Sequence, residues 1–281
     1  MGTPIAELLS RRYTVGAFDS DPTRSGTVAG LRWRPSVQAL AESSDVLVTV
    51  LPGPRELDGC LREALPALRP GALWLDLTSG DPALTRQLAD EASGRGIAVV
   101  SAPMGGSVPE AVAGDLVFFV GGPDTAVERA LPILRVLAGP HGVRRAGKRP
   151  EDGHIVKLLA NALWFANAVA ASEAVLIGQG LGLTASALHG LLRDSAGGSR
   201  FLDDHFGRLL DGDYLTSFGI DRVVEELDTV ATMSRTAEVP APVLDASAGL
   251  HRAALQRYGP VPGELLAVKL LEERTGRQLR R

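Results

Sequence analysis

The sequence predicts an α/β domain built on a doubly wound parallel sheet, followed by an all-helical domain entered through a long helix. Three observations predict it. Short β-rich runs bounded by Gly or Pro alternate with helix-period stretches through Gly142. The runs are nearly continuous in apolar residues, as strands buried on both faces are, and helices between such strands imply parallel pairing. From Gly153 onward the pattern is helical almost to the end, so residues 1–148 and 149–281 are the two expected domains.

Element by element, the chain opens with a helical stretch, Ile5–Arg12, and a strand over Thr14–Phe18 that ends at Asp19. Asp45–Leu51 (DVLVTVL) is a strand stopped by Pro52-Gly53-Pro54, and Leu73–Leu77, Ile97–Val100 and Leu116–Val120 are further strands. Helices are expected over 56–68 and 83–95, the second started by Asp81-Pro82, because proline is tolerated in a first helical turn. Residues 143–152 (VRRAGKRPED) read as a charged connector with no strand after Gly142. The helical half is broken at Gly197-Gly198, Asp211-Gly212-Asp213 and the Pro240/Pro242 pair.

Composition excludes several classes of function. The 281 residues carry a net charge of -4 and only 5% aromatics, so neither a basic footprint nor a stacking platform for nucleic acid is expected. The cluster Arg144, Arg145, Lys148, Arg149 is followed at once by acids and reads as a solvated turn. The single cysteine, Cys60, permits no internal disulfide and fits a reducing, cytoplasmic setting. The start has no basic, apolar leader. Residues 158–183 are apolar enough to span a membrane, but Glu173 lies inside them, so a helix packed within protein is expected and no membrane partner. No metal-ligand spacing occurs.

Dinucleotide binding in a doubly wound domain uses a strand, a G-x-G-x-x-G turn and a helix. Here Met1-Gly2-Thr3-Pro4 runs straight into the first helix. Gly2 stands where the third glycine of that turn belongs, and the first strand and the other two glycines are not seen. The sheet is therefore expected to lack its central strand, leaving either a gap or direct pairing of the flanking strands. The natural protein is expected to begin about ten residues ahead of Met1, with the missing strand. Asp19, at the end of the next strand, sits where an acid accepts hydrogen bonds from the adenosine ribose. Its other reading is a turn-starting Asp in Asp19-Ser-Asp-Pro22.

Lysine is scarce: Lys148, Lys157 and Lys269 are the only three among 29 basic residues. Lys157 nevertheless lies on an apolar segment. Gly153, Lys157 and Asn161 are spaced to line one stripe of a helix. An amine partly buried near a helix start feels the positive end of the dipole and loses hydration. Both effects favour its neutral form and make it a usable proton donor and acceptor. Snorkelling from the end of a buried helix is the plainer alternative. His154 lies off the stripe, with no evident carboxylate to orient it, and is expected to cap or to face solvent.

With these residues in view, the chain resembles the β-hydroxyacid dehydrogenase family along essentially its whole length. The run Gly153-His-Ile-Val-Lys157-Leu-Leu-Ala-Asn161 matches that family's interdomain helix motif. Leu51-Pro52, Asp76-Leu-Thr-Ser79 and Ala102-Pro103-Met104-Gly105-Gly106 match further segments, with Ala111 and Gly114 in step. The resemblance implies a Rossmann-like domain and an NAD(P)-dependent oxidoreductase. It would move hydride between the nicotinamide and a small 3-hydroxy acid or its semialdehyde.

It further implies Lys157 as the catalytic group, Asn161 as a substrate-holding residue, and Gly105, Gly106 and Ser107 as the substrate loop for a carboxylate. Gly2, Asp19, Leu51, Pro52, Ser79 and Phe218 are the implied cofactor contacts. Asp19 favours NAD because a carboxylate repels a 2′-phosphate, while Arg24 nearby leaves NADP open. A homodimer joined through the long helix is expected. Two departures stand out. Ser107 takes the place of a glycine while Gly105 takes that of the loop serine, and Glu225-Glu226-Leu227 replaces K-D-L. An imine reductase-like NADPH enzyme and a non-catalytic cofactor-binding scaffold are the alternatives.

Overall fold

A computed structural model describes all residues, Met1–Arg281. The chain divides into two compact units, Met1–Lys157 and Leu158–Arg281, so the division falls inside the long helix, nine residues beyond the expected boundary.

The first unit runs α1 (Gly2–Ser10), β1 (Gly16–Ala17), β2 (Arg32–Trp33), α2 (Val37–Glu42), β3 (Val46–Thr49), α3 (Pro54–Ala64), β4 (Leu73–Asp76), α4 (Pro82–Gly94), β5 (Ala98–Ser101), β6 (Met104–Gly105), α5 (Val108–Ala113), β7 (Leu116–Gly121), α6 (Asp124–Leu137) and β8 (Ala138–Gly147). Strands β3, β4 and β5 pair in parallel, with Thr49 opposite Asp76 and Asp76 opposite Ser101. Successive side chains of a strand face opposite ways, and β4 shows the consequence. Leu73 and Leu75 join the apolar layer that holds Ile5 and Leu9 of α1 and Leu134 of α6. Trp74 joins the opposite layer with Leu57 and Leu61 of α3 and Leu88 of α4. Helices thus cover both faces, as a doubly wound sheet requires.

The sheet is in two pieces. β1 pairs only with β2, in parallel, and no ladder joins that pair to the six-stranded sheet beginning at β3. Of the two expected arrangements, the gap is the one observed. The far edge also differs from an all-parallel expectation: β7 runs antiparallel to β5 and β6, and β8 pairs with β7 in parallel. The expected connector over residues 143–152, with no strand after Gly142, is corrected by β8, which runs to Gly147. Its Val143 packs into the core, while the Arg145 guanidinium is held by the carbonyls of Val120 and Gly122 and by Asp124. Arg149 pairs with Glu151 and Asp152, and Lys148 with Asp124, so these cations of the basic cluster are neutralised locally.

Helix α4 starts as the sequence indicates: the Asp81 side chain accepts the Ala83 N–H and Pro82 occupies the first turn. Helix α7 (Glu151–Gly180) leads from the first unit into the second, which continues with α8 (Ala185–Arg193), α9 (Arg200–Asp204), α10 (Phe206–Leu210), α11 (Ile220–Thr236), α12 (Pro242–Tyr258) and α13 (Leu266–Thr275). In the second unit, Leu158, Ala162, Phe165 and Val169 of α7 pack with Val223 and Leu227 of α11 and Ala267 and Leu270 of α13. The opposite side of α7 leaves Leu163 and Ile177 59% and 65% exposed.

Candidate active site

The carboxyl ends of β3 and β4 lie side by side, and the two loops that follow them are fastened together. The Leu51 N–H donates to Thr78 Oγ1 at 3.2 Å, and the Thr78 N–H donates to Asp76 Oδ1 at 3.0 Å. Thr49 Oγ1 donates to the same carboxylate oxygen at 2.7 Å and accepts from Trp74 Nε1 at 3.0 Å. Every member of this chain from Trp74 to Thr78 is buried. A buried carboxylate needs such donors, and the result is a rigid floor beneath Leu51, Pro52 and Ser79. Pro52 is exposed, and Leu51 and Ser79 are half-buried above it.

Asp19 lies two residues beyond β1 with its side chain 43% exposed. Its Oδ1 accepts the Asp21 N–H at 2.9 Å, and its Oδ2 lies 4.0 Å from the Arg24 guanidinium. Gly2 is the first residue of α1, and open space surrounds the position a Cβ would take. The close helix-strand approach that would demand glycine there is not present, because no strand runs between β1 and β3.

These features fit a dinucleotide at three points. An exposed carboxylate is offered to ribose hydroxyls, the unobstructed N-terminus of α1 presents N–H groups to phosphate, and two firm loops stand at the carboxyl ends of parallel strands. The residues that would hold it are Gly2 and Thr3, Asp19, Leu51, Pro52 and Ser79.

The residues expected to form the substrate loop lie at β6 and the start of α5. Gly105 closes β6, and Gly106 follows in an exposed turn with φ +113°, where a Cβ would also come within 3.0 Å of Leu116. Ser107 caps α5, and both its N–H (2.7 Å) and its hydroxyl (2.5 Å) donate to Glu110 Oε2. An internal carboxylate therefore already occupies the donors of Ser107.

Lys157 and Asn161 occur one turn apart on α7, and Lys157 is half-buried. The start of α7 comes close to the sheet because residue 153 is glycine: a Cβ there would collide with the Phe119 carbonyl and lie 3.2 Å from Pro103. In the second unit, Asn161 Nδ2 donates to Glu226 Oε2 at 2.7 Å, and Glu226 is buried. Glu226 is the middle residue of the Glu225-Glu226-Leu227 segment, and nothing in the sequence connected it to Asn161. Phe218 is half-buried against the core of the same unit, and its carbonyl accepts the Gly263 N–H at 2.9 Å.

One expectation is overturned here. His154 neither caps nor faces solvent: it is 1% exposed, its Nδ1 accepts the Gly80 N–H at 3.2 Å, and its Nε2 stands 3.3 Å from Asp76 Oδ2.

Comparison with known proteins agrees with this architecture. Residues 1–146 match the NAD binding domain of 6-phosphogluconate dehydrogenase, and residues 152–271 match the NAD-binding family of NADP-dependent 3-hydroxyisobutyrate dehydrogenase. The chain is 30% identical to a probable 3-hydroxyisobutyrate dehydrogenase of Mycobacterium tuberculosis over 201 residues, covering 70% of this chain and 67% of that protein. It is 29% identical to an NAD-dependent L-serine dehydrogenase of Pseudomonas aeruginosa over 215 residues, covering 72% of this chain and 69% of that one. The solved Mycobacterium tuberculosis 3-hydroxyisobutyrate dehydrogenase with L-serine superposes with a TM-score of 0.87 at 23% identity, covering 96% of this chain and 95% of that one. With the doubly wound domain, the Lys157/Asn161 helix and both family matches in place, the chain belongs to the β-hydroxyacid dehydrogenase family.

Proposed function

We propose that the protein is an NAD(P)-dependent oxidoreductase acting on the carbinol of a small 3-hydroxy acid, or in reverse on the matching semialdehyde. The observation that carries this reading is the α7 pair, Lys157 with Asn161 one turn on, the latter oriented by the buried Glu226. When bound, the nicotinamide supplies the hydride acceptor. Lys157 Nζ takes the hydroxyl proton as the C–H bond of the carbinol breaks, and returns it in the reductive direction. The amide of Asn161, oriented by Glu226, helps hold the substrate. Backbone N–H groups of the Gly105–Ser107 loop receive the substrate carboxylate.

NAD is the proposed cofactor over NADP. Asp19 offers an acceptor to two ribose hydroxyls and repels a 2′-phosphate, and Arg24 is drawn toward Asp19 and Asp21 rather than standing alone. The exposed side of α7 is apolar at Leu159, Leu163 and Ile177, which supports a homodimer closed over that face in a cytoplasmic enzyme. Reduction of NAD+ and NADP+ by a panel of 3-hydroxy acids, beside oxidation of NADPH with cyclic imines, tests the reading. Turnover confined to cyclic imines, or cofactor binding without any turnover, refutes it.

A further inference from the structure

Among the buried groups that the proposed chemistry does not use, His154 is placed most unusually. A core histidine is ordinarily satisfied by its own helix, as His251 is, whose Nδ1 lies 2.8 Å from the Ser247 carbonyl four residues back. His154 instead reaches across the first unit with both nitrogens. Nδ1 accepts from a backbone N–H, that of Gly80, so the ring proton sits on Nε2. That nitrogen lies in close contact with Asp76 Oδ2 at 3.3 Å, and neither atom has a hydrogen-bond partner. The other oxygen of Asp76 is taken by Thr49 and by the Thr78 N–H. The ring also packs closely on residue 80, where a Cβ would lie 3.1 Å from its Cε1.

We infer that His154 is a positioning residue for Lys157, an inference that rests on the reading of Lys157 as the proton acceptor. His154 is the fourth residue of α7 and Lys157 the seventh, on adjoining turns. The imidazole fastens that first turn by a hydrogen bond to Gly80, in the loop after β4, and sets it in close contact with Asp76 at the end of that strand. Through Thr78 and Leu51 the same network reaches the loop after β3. One side chain thus sets the distance between the loops offered to the cofactor and the helix turn that carries the amine. Both linked groups are desolvated, so the strut has no water to replace it when a polar end is removed.

The test uses His154→Leu and His154→Asn in the full chain. It measures amide hydrogen exchange over residues 76–82 and 151–158, NADH affinity by fluorescence, and kcat and KM separately. Leucine keeps the bulk and removes both polar ends, so exchange in both segments is expected to quicken by about tenfold or more. kcat is expected to fall about 10- to 100-fold, because an ångström of misplacement is enough for that loss, while KM for the hydroxy acid stays within about threefold. Asparagine can present its oxygen where Nδ1 sits, so His154→Asn should restore protection over 76–82 and recover most of the lost kcat. Unchanged exchange over 76–82 in His154→Leu overturns the inference, as does an asparagine variant no better than leucine. If His154→Leu does not fold, the asparagine variant decides alone: slow exchange over 76–82 with faster exchange over 151–158 upholds the strut, and equal change in both refutes it. If the wild-type protein turns over no 3-hydroxy acid, the functional reading fails while the exchange measurements still decide the role of His154.

Discussion

Asn161 donates its side-chain N–H to the buried carboxylate of Glu226 at 2.7 Å, so the orientation of this amide is dictated by α11. Removing a partner of a buried charged hydrogen bond costs about 1.5–3 kcal/mol, more than a neutral one. Glu226→Ala is therefore expected to lower stability in urea unfolding by about that amount, and Glu226→Gln, which can still accept, by less than half of it. Equal losses in the two variants would show that shape rather than the hydrogen bond matters.

Lys157→Ala is expected to cut turnover by about 10²–10⁴-fold while NADH binding persists, because proton transfer is removed and the loops after β3 and β4 are not. Lys157→Arg should not rescue it, since guanidinium does not release its proton at working pH. Near-normal turnover in the arginine variant would dismiss the assignment.

The region around Lys157 shows what the sequence made legible. The stripe Gly153, Lys157, Asn161 followed from helical period, and the scarcity of lysine singled out its middle member. The strands β3, β4 and β5 followed from apolar runs. His154 did not follow, because its partner Asp76 lies on a different element, and no local period links a strand end to a helix start. Glu226 was hidden for the same reason: its contact with Asn161 spans 65 residues. Strand β8 was read as a connector because its arginines look solvated. The Arg145 charge is in fact satisfied by the carbonyls of Val120 and Gly122 and by Asp124 at the start of α6.

The Ser107–Glu110 contact predicts an inhibited substrate loop. Glu110 Oε2 takes both the N–H and the hydroxyl of Ser107, so an incoming carboxylate must displace it against like charge. Glu110→Gln keeps the cap in part and removes the repulsion. KM for a 3-hydroxy acid is expected to fall several-fold in this variant, with kcat nearly unchanged, as for an interaction felt equally by ground and transition states. A rise in KM would mean that Glu110 supports the loop more than it opposes the anion.

Trp74, Thr49 and Asp76 form the buried chain beneath the loops that follow β3 and β4. Thr49→Val keeps the volume but strands the indole N–H and removes one donor from the carboxylate. Each buried group left unsatisfied costs about 1–3 kcal/mol, so this single change is expected to lower the unfolding free energy by about 2–5 kcal/mol in total. NADH affinity should fall with it. Full stability in Thr49→Val would mean that water enters and replaces the hydroxyl.

Burial holds the His251 imidazole below its ordinary pKa, only partly opposed by its hydrogen bond to the Ser247 carbonyl. The folded protein therefore keeps this ring neutral, packed against Phe165 with ring centres 5.5 Å apart, where the unfolded chain protonates it near pH 6.5. Between that pH and the depressed folded value, the unfolded state binds more protons, so stability must fall as pH drops through this window and level off below it. Above about pH 7 the ring is neutral in both states and contributes no slope. The carboxylates of Asp152 and Asp213, which burial would raise but which Arg149, and the Leu215 N–H with Arg208, hold below the ordinary range, act only at more acid pH. Urea unfolding of the wild type and of His251→Leu from pH 7.5 to 5 isolates the histidine: the difference between the two curves should slope below pH 6.5 and be flat above it. A difference flat across the whole range would show that His251 titrates alike in both states.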